Sequence, residues 1–194
     1  RIKQGVTAGV FGRRGTLDEQ CREAARLGIK GYDLISTPEQ WEILKKHDLI
    51  PTMFQPREGA GIGNGLNRKE NHDKFEAVMN TSIDQAAANG IPSIITFSGT
   101  RKGIPDAEGA DNCVEFLNKV KAHAEEKGIN ICMEFLNSKV YHPDYMVDHM
   151  TWGVDVMKRV NSPRGEILYD SYHAQIMDGD LVRNIRDHYQ WIGH

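Results

Sequence analysis

Apolar positions follow two alternating rhythms along this chain. The stretches VTAGVF at 6–11, GYDLI at 31–35, LIPTMF at 49–54, SIITF at 93–97, INICMEFL at 129–136 and EILYD at 166–170 are short and largely apolar, the pattern of strands buried on both faces. Between them the spacing turns helical. In TLDEQCREAARLG at 16–28, Leu17, Cys21, Ala24, Ala25 and Leu27 recur near helical spacing and Gly28 supplies a stop. A Thr37 cap with Pro38 at the first helical position opens a helix through His47. Further helices are expected from about Arg68 to Asn89, Ala107 to Lys127, Pro143 to Val160 and Gly179 to Trp191. Six βα units result, and WIGH at 191–194 reads as the opening of a seventh strand.

Such alternation implies a parallel sheet covered by helices, either a barrel or a doubly wound sheet. The doubly wound fold usually carries a glycine-rich phosphate turn after its first strand, and FGRRG at 11–15 does not match G-x-G-x-x-G. The units recur at roughly 31 residues, a pitch at which eight would reach about 250, the usual size of a closed (β/α)8 barrel. The expectation is therefore an α/β chain of the (β/α)8 TIM-barrel kind, one domain over residues 1–194, truncated after about six βα units.

In such a barrel the chemistry gathers at the carboxyl ends of the strands. There Glu134 follows INICM and Asp170 follows ILY, each a carboxylate ending a strongly apolar strand where an unpaired charge is costly. Two of them on neighbouring strands call for a shared partner, and a divalent metal serves both. His173, three residues after Asp170, reaches the same region as a ligand, proton shuttle or donor to a substrate oxygen, and Asn137, three after Glu134, as a neutral donor. The loop REGAGIGNGLN at 57–67 follows the third strand and reads either as a lid or as a flexible insertion. Its glycines lack the Lys-Ser or Lys-Thr pair of a P-loop. His72, His123, His142, His149 and His188 fall in or beside helices and are read as solvated or packing groups. Met150, Trp152, Met157 and Val160 have the spacing of core.

Composition narrows the partners. The net charge of −3 is spread without a basic field, which argues against nucleic acid. No apolar run approaches the roughly 20 residues of a bilayer span. The three cysteines, Cys21, Cys113 and Cys132, are scattered over helical and strand segments and read as buried thiols. The first residue is Arg1, compatible with a removed export signal or with trimming, so the compartment stays open.

MEFLN, LYDSYH and the WIGH that follows resemble the xylose isomerase-like barrel superfamily of sugar isomerases and epimerases, and within it the proteins labelled hydroxypyruvate isomerase. The resemblance covers the whole chain in element order; its specific motifs are E-x-L-N, D-x-x-H and the G-H of the seventh strand. It implies a divalent metal, commonly manganese, magnesium or cobalt. Glu134 and Asp170 match its first two ligands and His173 matches the histidine that contacts substrate oxygen. His194 matches the first histidine of G-H-x-H, so a third ligand on that strand and a glutamate on the eighth would lie beyond this chain. Glu134 would serve as both ligand and one member of an acid/base pair. Ketohexose epimerases of this superfamily continue E-x-L-N with Arg and then, two residues later, Glu; here Ser138 and Val140 stand there. That departure favours a smaller substrate, a small sugar or hydroxy-keto acid, with Lys139 as a candidate for its carboxylate.

The leading expectation is thus a metal-dependent isomerase acting through an ene-diolate. A sugar epimerase or cyclitol dehydratase on the same scaffold, or a non-catalytic carbohydrate-binding barrel, are the alternatives. An endonuclease-like member would need more strand-end histidines and a basic groove. An open barrel that ended at residue 194 is expected to be unstable or to pair into a homo-oligomer.

Overall fold

The computed structural model describes residues 4–12 and 14–194. Its strands are β1 (Gly5–Val6), β2 (Gly31–Tyr32), β3 (Ile50–Pro51), β4 (Ser93–Thr96), β5 (Asn130–Glu134) and β6 (Gly165–Leu168). They pair in parallel and in chain order, β1-β2-β3 and β4-β5-β6. Single parallel bridges, Ile35 to Phe54 and Phe54 to Ile94, join the two groups, and Ile167 to Ile192 adds the start of a seventh strand. The order is that of a TIM barrel, and the helices return the chain between strands as a right-handed parallel sheet requires.

Local sequence explains where the helices begin. Helix α1 (Leu17–Arg26) starts at a capping box in which the Thr16 hydroxyl accepts from the Glu19 amide and the Glu19 carboxylate accepts from the Thr16 amide. Thr37 and Gln40 repeat the device on α2 (Pro38–Lys46). Helices α3 (His72–Asn89) and α4 (Asp106–Lys127) stop at Gly90 and Gly128, both left-handed, where a glycine carries no Cβ penalty. Helix α5 (Met150–Val160) packs on α4 and β6. The core fills with Leu44, Ile83, Ile94, Phe116, Ile131 and Ile167, all at most 2% exposed, and Trp41 meets Phe54 edge to face at 5.4 Å. No helix of the described residues is long and apolar enough to cross a membrane.

Three expected elements differ. The strand expected over 6–11 pairs only at Gly5–Val6, and Ala8–Phe11 is a 3-10 turn closed by the Gly12 amide on the Gly9 carbonyl. The helix expected from Pro143 begins at Met150. Residues 143–149 form an irregular loop that buries Tyr145, Met146 and Val147 without helical backbone. The helix expected over 179–191 is present as α7 (Leu181–His188) with a 3-10 turn over Tyr189–Trp191, and an unexpected short helix, α6 (Ser171–Met177), precedes it. The two helices are separated by Gly179 and Asp180 in left-handed backbone.

The loop 57–67 is docked. Its Leu66 and Asn67 amides donate to the Phe97 and Ser98 carbonyls beyond β4, and the fully buried Asn67 side chain donates to the Thr100 carbonyl. Gly65 is required there, because a Cβ would land on the Gly99 amide and the Phe97 carbonyl. Gly65→Ala is therefore expected to cost about 2–3 kcal/mol. The measurement is urea unfolding, with limited proteolysis showing faster cleavage within 57–67; unchanged stability would mean the loop adapts.

Candidate metal and active site

Pairing of β5 with β6 places Glu134 opposite Leu168, so the next residues of β6 carry Asp170 past the same end of the barrel. Glu134 ends β5, and its backbone is pinned by the buried Tyr145 hydroxyl, which donates to the Glu134 carbonyl at 2.9 Å and accepts from the Ser98 amide at 3.2 Å. Burial pushes the Tyr145 hydroxyl far above its ordinary range. The Glu134 carboxylate has neither a cation nor a hydrogen-bond donor beside it among the described residues. Its pKa is pushed up to about 7, first by burial and then by the Asp170 charge.

Asp170 does two jobs. It is the N-cap of α6, its Oδ1 accepting from the Tyr172 amide at 2.8 Å and the His173 amide at 3.1 Å. Its second oxygen lies 3.9 Å from His173 Nε2. A cavity of about 340 Å³ at this end of the barrel is walled by Thr7, Asp33, Glu134, Tyr169, Asp170 and His194.

The cavity wall includes a pair missed in the sequence, Asp33 with His194. Asp33 follows β2, accepts from the Thr52 hydroxyl, and lies 3.2 Å from His194 Nε2. Burial raises the Asp33 pKa, but the bonds from His194 and Thr52 outweigh it and hold the carboxyl low. In turn Asp33 raises the His194 ring against the opposing effect of burial. The census of polar strand ends would have found Asp33: it follows Gly31 and Tyr32 as Asp170 follows Leu168 and Tyr169.

The remaining candidates separate. Asn137 is fully buried and faces His173, not the cavity; its Nδ2 is 2.5 Å from His173 Nδ1. Lys139 turns away altogether. Its ammonium donates to the Ile176 and Met177 carbonyls at 3.2 and 3.0 Å, a cation on the C-terminal end of α6, where the helix dipole favours it. His142 packs against His173 with ring centroids 5.3 Å apart. His72 is buried with Nε2 2.9 Å from the Leu66 carbonyl. His123 sits between Asn80 and Asp84, His149 on Asp178, and His188 on the Asn184 carbonyl. All three cysteines are buried and unpaired; burial pushes the thiols up, Cys21 to about 11 and Cys132 to about 12.

Among the described residues no three histidine, cysteine, aspartate or glutamate side chains converge as a complete metal site. Glu134 and Asp170 nevertheless fit a hard divalent cation. They are oxygen donors on adjacent strands, and Glu134 is partly desolvated, facing a second carboxylate with no counter-charge.

This barrel with paired carboxylates at its mouth defines a class, and residues 18–194 match the family described as xylose isomerase-like TIM barrel. The chain belongs to that family. A Xenopus laevis protein provisionally named hydroxypyruvate isomerase is 24% identical over 127 residues, 63% of this chain and 46% of that one. The chain spans about half or less of the length of the curated relatives it matches. Among solved structures, a Brucella melitensis protein titled AP endonuclease, family 2, superposes over all of this chain and 78% of its own, with a TM-score of 0.86 at 24% identity. A Clostridium cellulolyticum D-psicose 3-epimerase solved with D-tagatose gives 0.80 at 18%, over the whole of this chain and 72% of the other. A structure titled IOLI protein with a binding zinc atom gives 0.77 at 15%, covering 98% of this chain and 70% of that one. At these identities the likeness shows the shared barrel.

Proposed function

We propose that this chain forms part of a metal-dependent isomerase that interconverts a small 2-hydroxy aldehyde and ketone, of the size of hydroxypyruvate or a small sugar, through an ene-diolate. The observation that carries the reading is the unpartnered Glu134 carboxyl beside Asp170 at the mouth of the barrel. Glu134 and Asp170 would hold the cation. When bound, a divalent cation supplies charge stabilisation for adjacent substrate oxygens.

The rest falls to the chain itself. Glu134, at the edge of the same cavity, would also be one member of the acid/base pair that takes a proton from carbon and returns it to the neighbouring carbon. His173 lies behind Asp170 at the start of α6, where a ring N–H can steady a substrate oxygen. The cavity of about 340 Å³ is at the small end of ligand sites. Position 138, an arginine in the ketohexose epimerases, is a serine here, and its hydroxyl is turned to Asp148 at 2.5 Å. Both facts favour a short substrate over a ketohexose.

The test is calorimetric titration with manganese of the chain and of a form extended through the remaining barrel units, each beside Glu134→Gln. Micromolar binding in the extended form, lost in the variant, is the expected result, followed by turnover in a screen of hydroxypyruvate and short aldoses and ketoses. No binding in either form would leave a carbohydrate-binding barrel. Because Glu134 holds its proton up to about pH 7, binding at pH 6 is also expected to release close to one proton, read from the dependence of the heat on buffer ionisation.

A further inference from the structure

We infer that Asn137 is a positioning residue that fixes the tautomer of His173, so that the ring presents Nε2–H toward the Asp170 carboxylate and keeps Nδ1 as an acceptor. The inference rests on the site reading above for its use, but its geometry stands apart from any metal. Two backbone amides settle the orientation of the Asn137 side chain. Those of Val140 and Tyr141 both point at one atom of it, each at 3.0 Å, and a backbone amide can only donate. That atom is therefore the oxygen, and the flipped amide would set its NH2 against two donors. The Asn137 Nδ2 then faces His173 Nδ1 at 2.5 Å as a donor. A third amide, that of Asn137 itself, points at the same ring nitrogen from 3.2 Å. Two N–H groups converge on His173 Nδ1, so that nitrogen carries the lone pair and the ring proton sits on Nε2.

The surroundings agree. Asn137 is fully buried, and among the described residues its side chain meets only the Val140 and Tyr141 amides and His173. The loop that bears Asn137 is itself braced: Asp148 accepts from Ser138 and from Arg101, and Arg101 also reaches the Tyr145 and Met146 carbonyls. A hydrogen-bond donor held in one tautomer needs no reorganisation when charge develops on a substrate oxygen.

Nitrogen NMR of the chain carrying 15N-histidine, at a fixed pH above the ordinary histidine range, reads this directly. The expected spectrum for His173 has an unprotonated, pyridine-type Nδ1 and a protonated, pyrrole-type Nε2. In Asn137→Asp the oxygen that serves Val140 and Tyr141 is retained, and a second oxygen replaces the group facing Nδ1. The two nitrogen types are then expected to exchange places, or both to become protonated. A wild-type spectrum with the proton on Nδ1 overturns the inference, and so does an Asn137→Asp spectrum unchanged from wild type. If that variant does not fold, the wild-type spectrum decides alone. The readout is independent of metal binding and turnover, so failure of the manganese titration leaves it standing, and its own failure leaves the metal site standing.

Discussion

Glu134→Gln is expected to make the metal-free protein more stable at pH 8 while removing its response to metal. The carboxyl is moved from an ordinary 4.5 to about 7 by folding, through burial and the nearby Asp170. A raised folded pKa means that the native state binds the proton more tightly than the unfolded chain. The stabilising effect is complete below about pH 4.5 and is lost as pH rises through about 7. Above that the native state bears a poorly solvated charge worth roughly 2 kcal/mol, after discounting for the water that still reaches the group. Glutamine has no such charge, so the variant should equal wild type near pH 4 and exceed it by that amount at pH 8. Urea unfolding of both proteins across this range is the measurement. A pH-independent difference would mean that Glu134 is ordinarily solvated and would remove the main support for the site. In the form extended through the remaining barrel units, added manganese should raise the midpoint of the parent protein and leave that of its Glu134→Gln variant in place. Stability sacrificed at one carboxylate in exchange for ligation is the pattern expected of a functional group.

Glu134 and Asp170 were legible because a charge at the end of an apolar run is an anomaly that demands a partner, and the parallel pairing of β5 and β6 needed only the alternation of elements. Asp33 obeyed the same rule, but the apolar run GYDLI placed it in the middle of a strand over 31–35, whereas the paired strand ends at Tyr32 and leaves Asp33 just past it. What sequence could not supply was direction. Asn137 and Lys139 lie near Glu134 in the chain, yet Asn137 turns toward α6 to meet His173 and Lys139 toward the carboxyl end of that helix. Helix α6 itself went unseen because its cap, Asp170, was read for its charge, and seven residues offer too little periodicity to compete. The irregular loop 143–149 looked helical for a related reason. Its apolar residues serve the core through irregular backbone, stabilised by Arg101 on the Tyr145 and Met146 carbonyls from a distant turn.

Asp170 caps α6 and is proposed as a ligand, and two substitutions test these roles apart. In Asp170→Asn an oxygen remains to accept from the Tyr172 and His173 amides, so the cap on α6 persists. The charge beside Glu134 is gone, which should lower the Glu134 pKa, although burial, the larger cause, continues to hold it up. Stability at pH 8 should therefore stay level or rise. Asp170→Ala loses the cap, at a cost of about 1 kcal/mol, and frays the short helix that carries His173. Both variants should lose manganese in the extended protein. Removal of a group behind a metal ligand already costs about 10–100-fold, so loss of the carboxylate itself is expected to weaken binding at least about 100-fold. Calorimetry and urea unfolding on the two variants form the test. Asp170→Asn with wild-type affinity would show that Asp170 is a helix cap and no ligand, and the cation site would then have to be sought around Glu134 and Asp33. Equal loss of affinity with unequal stability would assign the charge to the cation and the oxygen to the helix.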